Sequence, residues 1–264
     1  MQTNLIPVFV LCGGQGTRLR EETEFRPKPM VMIGDRPILW HIMKLYSHHG
    51  FNDFSLCLGY RADMIRDYFL NYRANTSKSC VVDLKTGNTQ LAHDEQSAED
   101  WRINLIDTGL DALTGLRVKR ALKFTASKRF MLTYGDGVSN VDVKALLAHH
   151  ERSGRLATIT AVRPSSRFGE LDLHGDKVRS FLEKPQTGEG WINGGFFVFE
   201  PGVLDYIAGE ETSLEREPLA RLASDGQLMA YRHEGFWQPM DTVREKQILE
   251  QLWADGIAPW KGTS

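Results

Sequence analysis

The residues with chemistry to offer begin at a glycine-rich turn, Leu11-Cys12-Gly13-Gly14-Gln15-Gly16-Thr17-Arg18-Leu19, which follows an apolar run. Glycines let the backbone approach a ligand and turn its N–H groups toward it, and such a nest suits phosphate oxygens. Arg18 adds a guanidinium able to hold two oxygens at once. The alternative is a tight strand-to-helix turn with no ligand. Spacing excludes two familiar phosphate loops. A P-loop needs Gly-Lys-Ser/Thr, and this turn has no lysine. The dinucleotide fingerprint needs a third glycine where this chain has Leu19. Next comes Arg26-Pro27-Lys28-Pro29-Met30, in which two prolines predict an extended, stiff segment. A lysine held that way loses little entropy on meeting an anion; the alternative is an exposed loop lysine. Asp136 stands between Gly135 and Gly137 after an apolar run, at a strand end, where open α/β sheets bind ligands. It reads otherwise as a turn aspartate. Asp241, in Pro239-Met240-Asp241-Thr242, reads otherwise as the N-cap of a closing helix.

The elements that must position these residues alternate. Val8–Cys12 and Phe54–Leu58 read as buried strands of a parallel sheet. Pro37 opens a helical pattern that Gly50 ends, and a second helix spans Asp63–Tyr72. The stretch Asn75–Asp100 is polar and irregular, with a short strand at Val81–Leu84. Strands follow at Ile103–Ile106 and Phe130–Tyr134, and an amphipathic helix at Val141–Arg152. After Gly154 short strands predict a mixed or antiparallel portion at Ala157–Val162, Glu170–Leu173, Val178–Leu182 and Gly195–Phe199. Helices near Gly202–Ile207 and Glu215–Ala223, a strand at Leu228–His233 and a helix at Thr242–Trp253 close the chain. The β-α-β-α alternation predicts an α/β sheet with helices on its faces. No linker or repeat divides the 264 residues, so one domain is expected, with halves of roughly 1–155 and 156–264, the second including a C-terminal lobe.

Composition bounds the function. Hydrophobic residues make up 41% and charged residues 25%, as in soluble globular proteins. A net charge of −2 argues against a nucleic-acid partner, because phosphate-backbone affinity needs a basic excess. Cys12, Cys57 and Cys80 lack zinc or redox spacing, which points to a reducing compartment. The run Leu5–Leu11 is too short for a signal sequence or membrane span, so a cytoplasmic protein with no membrane partner is expected. None of the eight histidines is assigned to a metal.

Taken in order, the motifs become specific. They are Gly-Gly-x-Gly-Thr-Arg-Leu, Pro-Lys-Pro-Met, Pro-Ile-Leu, Tyr134-Gly135-Asp136-Gly137, Phe181-Leu182-Glu183-Lys184-Pro185, Ile192-Asn193-Gly194-Gly195-Phe196-Phe197 and Pro239-Met240-Asp241-Thr242. Over nearly the whole chain they resemble the sugar-phosphate nucleotidyltransferases. The resemblance implies a Rossmann-like mixed, mostly parallel sheet flanked by helices, with a smaller C-terminal sugar-binding and oligomerisation portion. It implies a nucleotide on Leu11, Cys12, Gly13, Gly14, Gly16, Thr17, Arg18, Lys28 and Gly135. Arg18 and Lys28 would act on its phosphates, and Mg2+ would sit on Asp136 and Asp241. Glu183, Lys184, Asn193 and Gly194 would hold the sugar phosphate. A homo-oligomer follows from the resemblance alone.

A further stretch, Asp107-Thr108-Gly109 through Thr114-Gly115-Leu116-Arg117-Val118-Lys119-Arg120, is similar to the cytidylyl-transferring branch of that family. So are Leu39–Lys44, Phe168-Gly169, Gly235–Gln238 and Ala258–Lys261. That branch implies CTP and glucose 1-phosphate as substrates; another nucleotide or sugar phosphate, and a non-catalytic sugar-nucleotide sensor, are the alternatives. Thr114 and Arg117 are candidates for reading cytosine or its phosphates. The competing reading puts Arg117, Lys119 and Arg120 on a solvated face of the following helix. Leu116 replaces a common glycine of the branch, and Cys12 a common alanine. Trp253, Trp260 and Phe236 read as packing residues.

Overall fold

Val8–Leu11 has no polar face, and the strand it forms (β1) is buried along its length. The computed structural model describes residues 6–77, 79–91, 99–164, 170–174, 177–182, 190–209 and 211–262. In it β1 belongs to a seven-stranded sheet with β2 (Asp53–Leu58), β3 (Arg102–Asp107), β4 (Phe130–Tyr134), β5 (Ala157–Val162), β6 (Ile192–Phe199) and β7 (Leu228–His233). The order is β7-β5-β6-β4-β1-β2-β3. Within this sheet β6 is antiparallel to both neighbours and the other pairings are parallel. The expected mixed, mostly parallel sheet is therefore present. Because β6 pairs with β4, one sheet spans both halves of the chain.

Helices cover both faces: α1 (Ile38–His48), α2 (Ala62–Leu70), α3 (Thr114–Thr125), α4 (Val143–Ser153), α5 (Glu217–Ser224) and α6 (Val243–Ala254). Side chains alternate across a strand, so β1 divides its residues between two cores. Val8 and Val10 join α1, α4 and α6, while Phe9 and Leu11 join α3 and α5. Trp260 is buried against Phe236, its ring centroid 5.6 Å away, in the packing role expected of it.

Three local expectations are refined. The helix expected to carry Arg117, Lys119 and Arg120 starts at Thr114 and includes Gly115. Gly115 is admitted because a Cβ there would lie 2.6 Å from the Thr212 carbonyl, where a crossing segment passes. The helix near Gly202–Ile207 is a 3-10 turn over Pro201–Tyr206. The short strand near Val81 is one arm of a hairpin, Cys80–Asp83 with Asn88–Leu91.

The site is set by β1 and β4, which are adjacent and parallel with Leu11 opposite Tyr134. From β1 the chain goes to β2 on one side, while β4 flanks it on the other. The strand order thus switches direction there, which opens a crevice at the strands' carboxyl ends. The glycine-rich turn leaves one of these ends and Gly135-Asp136 the other.

Candidate active site

Each glycine of the turn answers a different demand. Gly16 has φ +64°, in the left-handed region that glycine enters without strain. Its carbonyl accepts from the Leu19 N–H and the Thr23 hydroxyl, both at 3.0 Å. A Cβ on Gly13 would fall 2.0 Å from the Arg117 guanidinium, and one on Gly59 would fall 2.5 Å from it. Gly14 has nothing within 4 Å and is exposed. Gly13 is therefore required by Arg117 and Gly16 by its backbone, while Gly14 leaves open room.

Arg117 is 4% exposed, which rules out the solvated helix face for this residue. It donates to the carbonyls of Leu58 (3.0 Å), Gly109 (2.9 Å), Gly13 (3.0 Å) and Leu110 (3.1 Å), and to Thr108 Oγ1 (2.8 Å). One buried cation thus ties the glycine turn to the ends of β2 and β3. Its guanidinium borders the cleft, but the protein's own acceptors already engage its terminal nitrogens. Thr114 is likewise engaged: its hydroxyl donates to Glu215 Oε2 at 2.6 Å and accepts from the Leu214 N–H at 2.8 Å. Cys12 is fully buried, and burial, with Cys57 nearby, pushes its thiol pKa well above the ordinary value. A neutral, unreactive wall residue is the consequence.

The segment around Lys28 is not extended. Pro27 is extended, but Lys28–Met30 forms one 3-10 turn, closed by Val31 N–H donating to the Lys28 carbonyl at 3.1 Å. Proline fits the first positions of such a turn, where its missing N–H costs nothing. The turn carries Lys28 inward, to 7% exposure. Its Nζ donates to Asp136 Oδ2 at 2.7 Å and to Asp241 Oδ1 at 2.5 Å. Burial alone would lower its pKa, but Asp136 and then Asp241 outweigh burial and hold it above the ordinary lysine value. Arg18, largely exposed, reaches Asp241 Oδ2 at 3.0 Å.

Two aspartates distant in sequence meet through a small antiparallel pair. Gly137–Ser139 pairs with Trp237–Pro239, Gly137 opposite Pro239. The Met240 N–H continues the ladder by donating to the Asp136 carbonyl at 2.8 Å. The next residue is Asp241. It is not the helix cap: Thr242 caps α6, accepting from Glu245 N–H at 3.2 Å. Glu245 Oε2 in return accepts from the backbone N–H groups of Thr242 (2.9 Å) and Asp241 (2.7 Å). That reciprocal box does not use the Asp241 carboxylate, which meets Lys28 and Arg18.

Among the described residues no group of three or more His, Cys, Asp or Glu could hold a metal. Asp136 and Asp241 nevertheless each bring an oxygen onto one ammonium. Magnesium takes one or two carboxylates and completes its shell with water and phosphate oxygens. This donor pair, beside a turn lined with backbone amides, fits that ion.

The turn, Lys28 and the two aspartates line a cleft of roughly 390 Å³, together with Pro29, Ala112, Thr114 and Ser213. A second cleft of roughly 430 Å³ adjoins it, sharing Arg18, Tyr134, Asp136 and Asp241. Asn193 and Gly194 line the second cleft, with Glu215 and Trp237. Trp237 Nε1 donates to the Gly194 carbonyl at 2.7 Å. Asn193 Nδ2 donates to the Tyr134 hydroxyl at 3.1 Å, and Tyr134 donates to Glu215 Oε1 at 2.7 Å. Burial first, then Glu215, holds the Tyr134 pKa well above the ordinary phenol value, so the hydroxyl keeps its proton. Glu183, Lys184 and Phe168-Gly169 lie outside the described residues.

The fold thus brings Leu11–Thr17, Arg18, Lys28, Gly135, Asp136 and Asp241 together, with Asn193 and Gly194 next door. Sequence reasoning missed Tyr134, Ser213, Glu215 and Trp237 as site residues. Tyr134 stood beside the Gly135-Asp136 motif and Trp237 close before Asp241, so adjacency was a signal. Glu215 gave none.

Comparison with known proteins agrees with this geometry. The family model for nucleotidyl transferases matches residues 8–242. A glucose-1-phosphate cytidylyltransferase of Salmonella typhimurium is 49% identical over 253 residues, 96% of this chain and 97% of that one. A probable glucose-1-phosphate cytidylyltransferase of Bacillus subtilis is 42% identical over 253 residues, 96% of this chain and 98% of that one. The crystal structure of HddC from Yersinia pseudotuberculosis shares the fold, with a TM-score of 0.68 at 23% identity over 94% of this chain and 99% of the other.

Proposed function

The chain belongs to the nucleotidyl transferase family, and from that premise we propose that it transfers the cytidylyl group of CTP to glucose 1-phosphate, giving CDP-glucose and pyrophosphate. One observation carries the site chemistry: Lys28, Asp136 and Asp241 converge at the mouth of the glycine turn. The choice of CTP and glucose 1-phosphate is supported by the Salmonella and Bacillus relatives, which match this chain over nearly their whole lengths.

In this reaction a phosphate oxygen of the sugar phosphate bonds to the α-phosphorus of CTP as the bond to pyrophosphate breaks. The attacking phosphate is already ionised, so no general base is needed. Positioning and charge carry such a step. Asp136 and Asp241 would hold Mg2+, which when bound offsets the triphosphate charge. Lys28 steadies the α-phosphate. Arg18 and the amides of Gly13–Thr17 hold the outgoing phosphates. Arg117 keeps those amides in place. Asn193 and Gly194, with Glu183 and Lys184, receive the sugar phosphate, so the two halves of the chain divide the substrates between them. The free Cys12, Cys57 and Cys80 suit the reducing cytoplasm. Among the described residues no helix is long and apolar enough to cross a membrane. A homo-oligomer rests on family resemblance.

The test is pyrophosphate release with CTP, UTP, dTTP and GTP, each against glucose 1-phosphate and its epimers, with and without magnesium. Release with CTP and glucose 1-phosphate that needs magnesium is expected. Release with UTP or dTTP alone would sink the cytidylyl assignment, and silence under every pairing would leave a sensor.

A further inference from the structure

Glu215 has no role in the account above, yet it stands where the two clefts meet. It is the residue before Arg216, on the segment that crosses Gly115 and leads into α5. Its carboxylate accepts three hydrogen bonds, from the hydroxyls of Thr114 (2.6 Å), Ser213 (2.6 Å) and Tyr134 (2.7 Å). Thr114 and Ser213 line the first cleft, Glu215 and Asn193 line the second, and Tyr134 borders both.

The direction of these bonds matters. Tyr134 has one hydroxyl hydrogen, and a carboxylate can only accept it. With that hydrogen spent on Glu215, the phenol oxygen faces Asn193 as an acceptor, and Asn193 Nδ2 donates to it at 3.1 Å. The other end of the same carboxamide accepts from the Gly195 N–H at 2.8 Å. The Asn193 amide is thereby fixed in one of its two orientations, with one N–H and one oxygen lone pair left for a ligand. Without the carboxylate, Tyr134 is free to donate toward Asn193. The carboxamide can then turn over, at the cost of the Gly195 bond.

We propose that Glu215 is a positioning residue for the acceptor substrate: by directing the Tyr134 hydroxyl it fixes the orientation in which Asn193 meets the sugar phosphate. This rests on the reading of the second cleft as the sugar-phosphate site. It does not require Glu215 to touch either substrate.

The experiment is steady-state kinetics of the full chain with CTP and glucose 1-phosphate varied separately, on wild type, Glu215→Gln, Tyr134→Phe, Asn193→Ala and the Glu215→Gln/Asn193→Ala pair. Glu215→Gln is nearly isosteric on an exposed segment, and far-UV circular dichroism verifies its fold. Losing one directed hydrogen bond should raise the KM for glucose 1-phosphate about tenfold in Glu215→Gln and in Tyr134→Phe. In Tyr134→Phe the KM for CTP should move less than about twofold, because the Thr114 and Ser213 bonds to Glu215 remain. In the Asn193→Ala background Glu215→Gln should add nothing. A wild-type KM for glucose 1-phosphate in Glu215→Gln overturns the inference, as does an effect that multiplies in full on top of Asn193→Ala. An active wild type with these results leaves the proposed function standing. A wild type without turnover overturns that function and this inference with it.

Discussion

The two clefts that meet at Tyr134 are built from different material. The first is built on backbone, the Gly13–Thr17 turn that Arg117 holds and the Gly135 strand end, with Thr114 and Ser213 beside them. The second is walled by side chains from separate segments, with Asn193 on β6, Glu215 before α5 and Trp237 beside Gly137–Ser139. A backbone wall dictates residue type, since no other residue fits where Gly13 meets a guanidinium or where Gly16 turns left-handed. A side-chain wall dictates only that something polar arrive from each direction. Asp136 and Asp241, bridged by Lys28, line both clefts at this seam, and the comparison predicts that chemistry fails there first.

The largest expected effect is at the seam. Asp136→Ala should lower turnover by ~10²–10³-fold with unchanged far-UV circular dichroism; near-normal rates would remove Asp136 from the proposed metal site. Next is the buried lock of the first cleft. Arg117→Ala leaves several carbonyls unpaired and should cost about 3 kcal/mol in urea unfolding, with a raised KM for CTP. Unfolding at the wild-type midpoint would show that the turn holds itself.

Two neighbouring glycines then sharpen the contrast. Gly13→Ala drives a methyl into the guanidinium and should cost about 1–3 kcal/mol. Gly14→Ala meets open space and should stay within about 0.5 kcal/mol of wild type in stability, while raising the KM for CTP. Equal losses of stability would contradict the division between locking and ligand-facing glycines. The smallest effect is at the α6 cap. Thr242→Ala should cost about 1 kcal/mol, read by thermal melting, with turnover lowered only slightly, because Glu245 still accepts from the Asp241 N–H.

The same contrast explains what was legible in the sequence. β1, β2, β4 and α1 were read from unbroken apolar runs and a 3.6-residue pattern, because burial on both faces leaves no other choice. The turn, Lys28, Asp136 and Asp241 were read because backbone constraint and fixed neighbours leave a motif. What made Gly13 necessary was not readable, since its partner Arg117 lies far along the chain and reaches it only in the fold. The start of α3 was hidden by Gly115, a poor helix former that is needed for the crossing of Thr212. The stiff segment around Lys28 proved a 3-10 turn because proline at a first turn looks locally like proline in extended chain. Glu215 is invisible as a site residue: a glutamate at the expected start of a helix looks like any solvated charge until three hydroxyls from three segments close on it.

One competition measures the central claim. The protein is given equal concentrations of CTP, UTP, dTTP and GTP with glucose 1-phosphate and magnesium, and the products are resolved by phosphorus NMR. CDP-glucose as the dominant early product, with matching pyrophosphate, is the predicted result. A mixture led by another nucleotide sugar, or no new diphosphate signal, would contradict it.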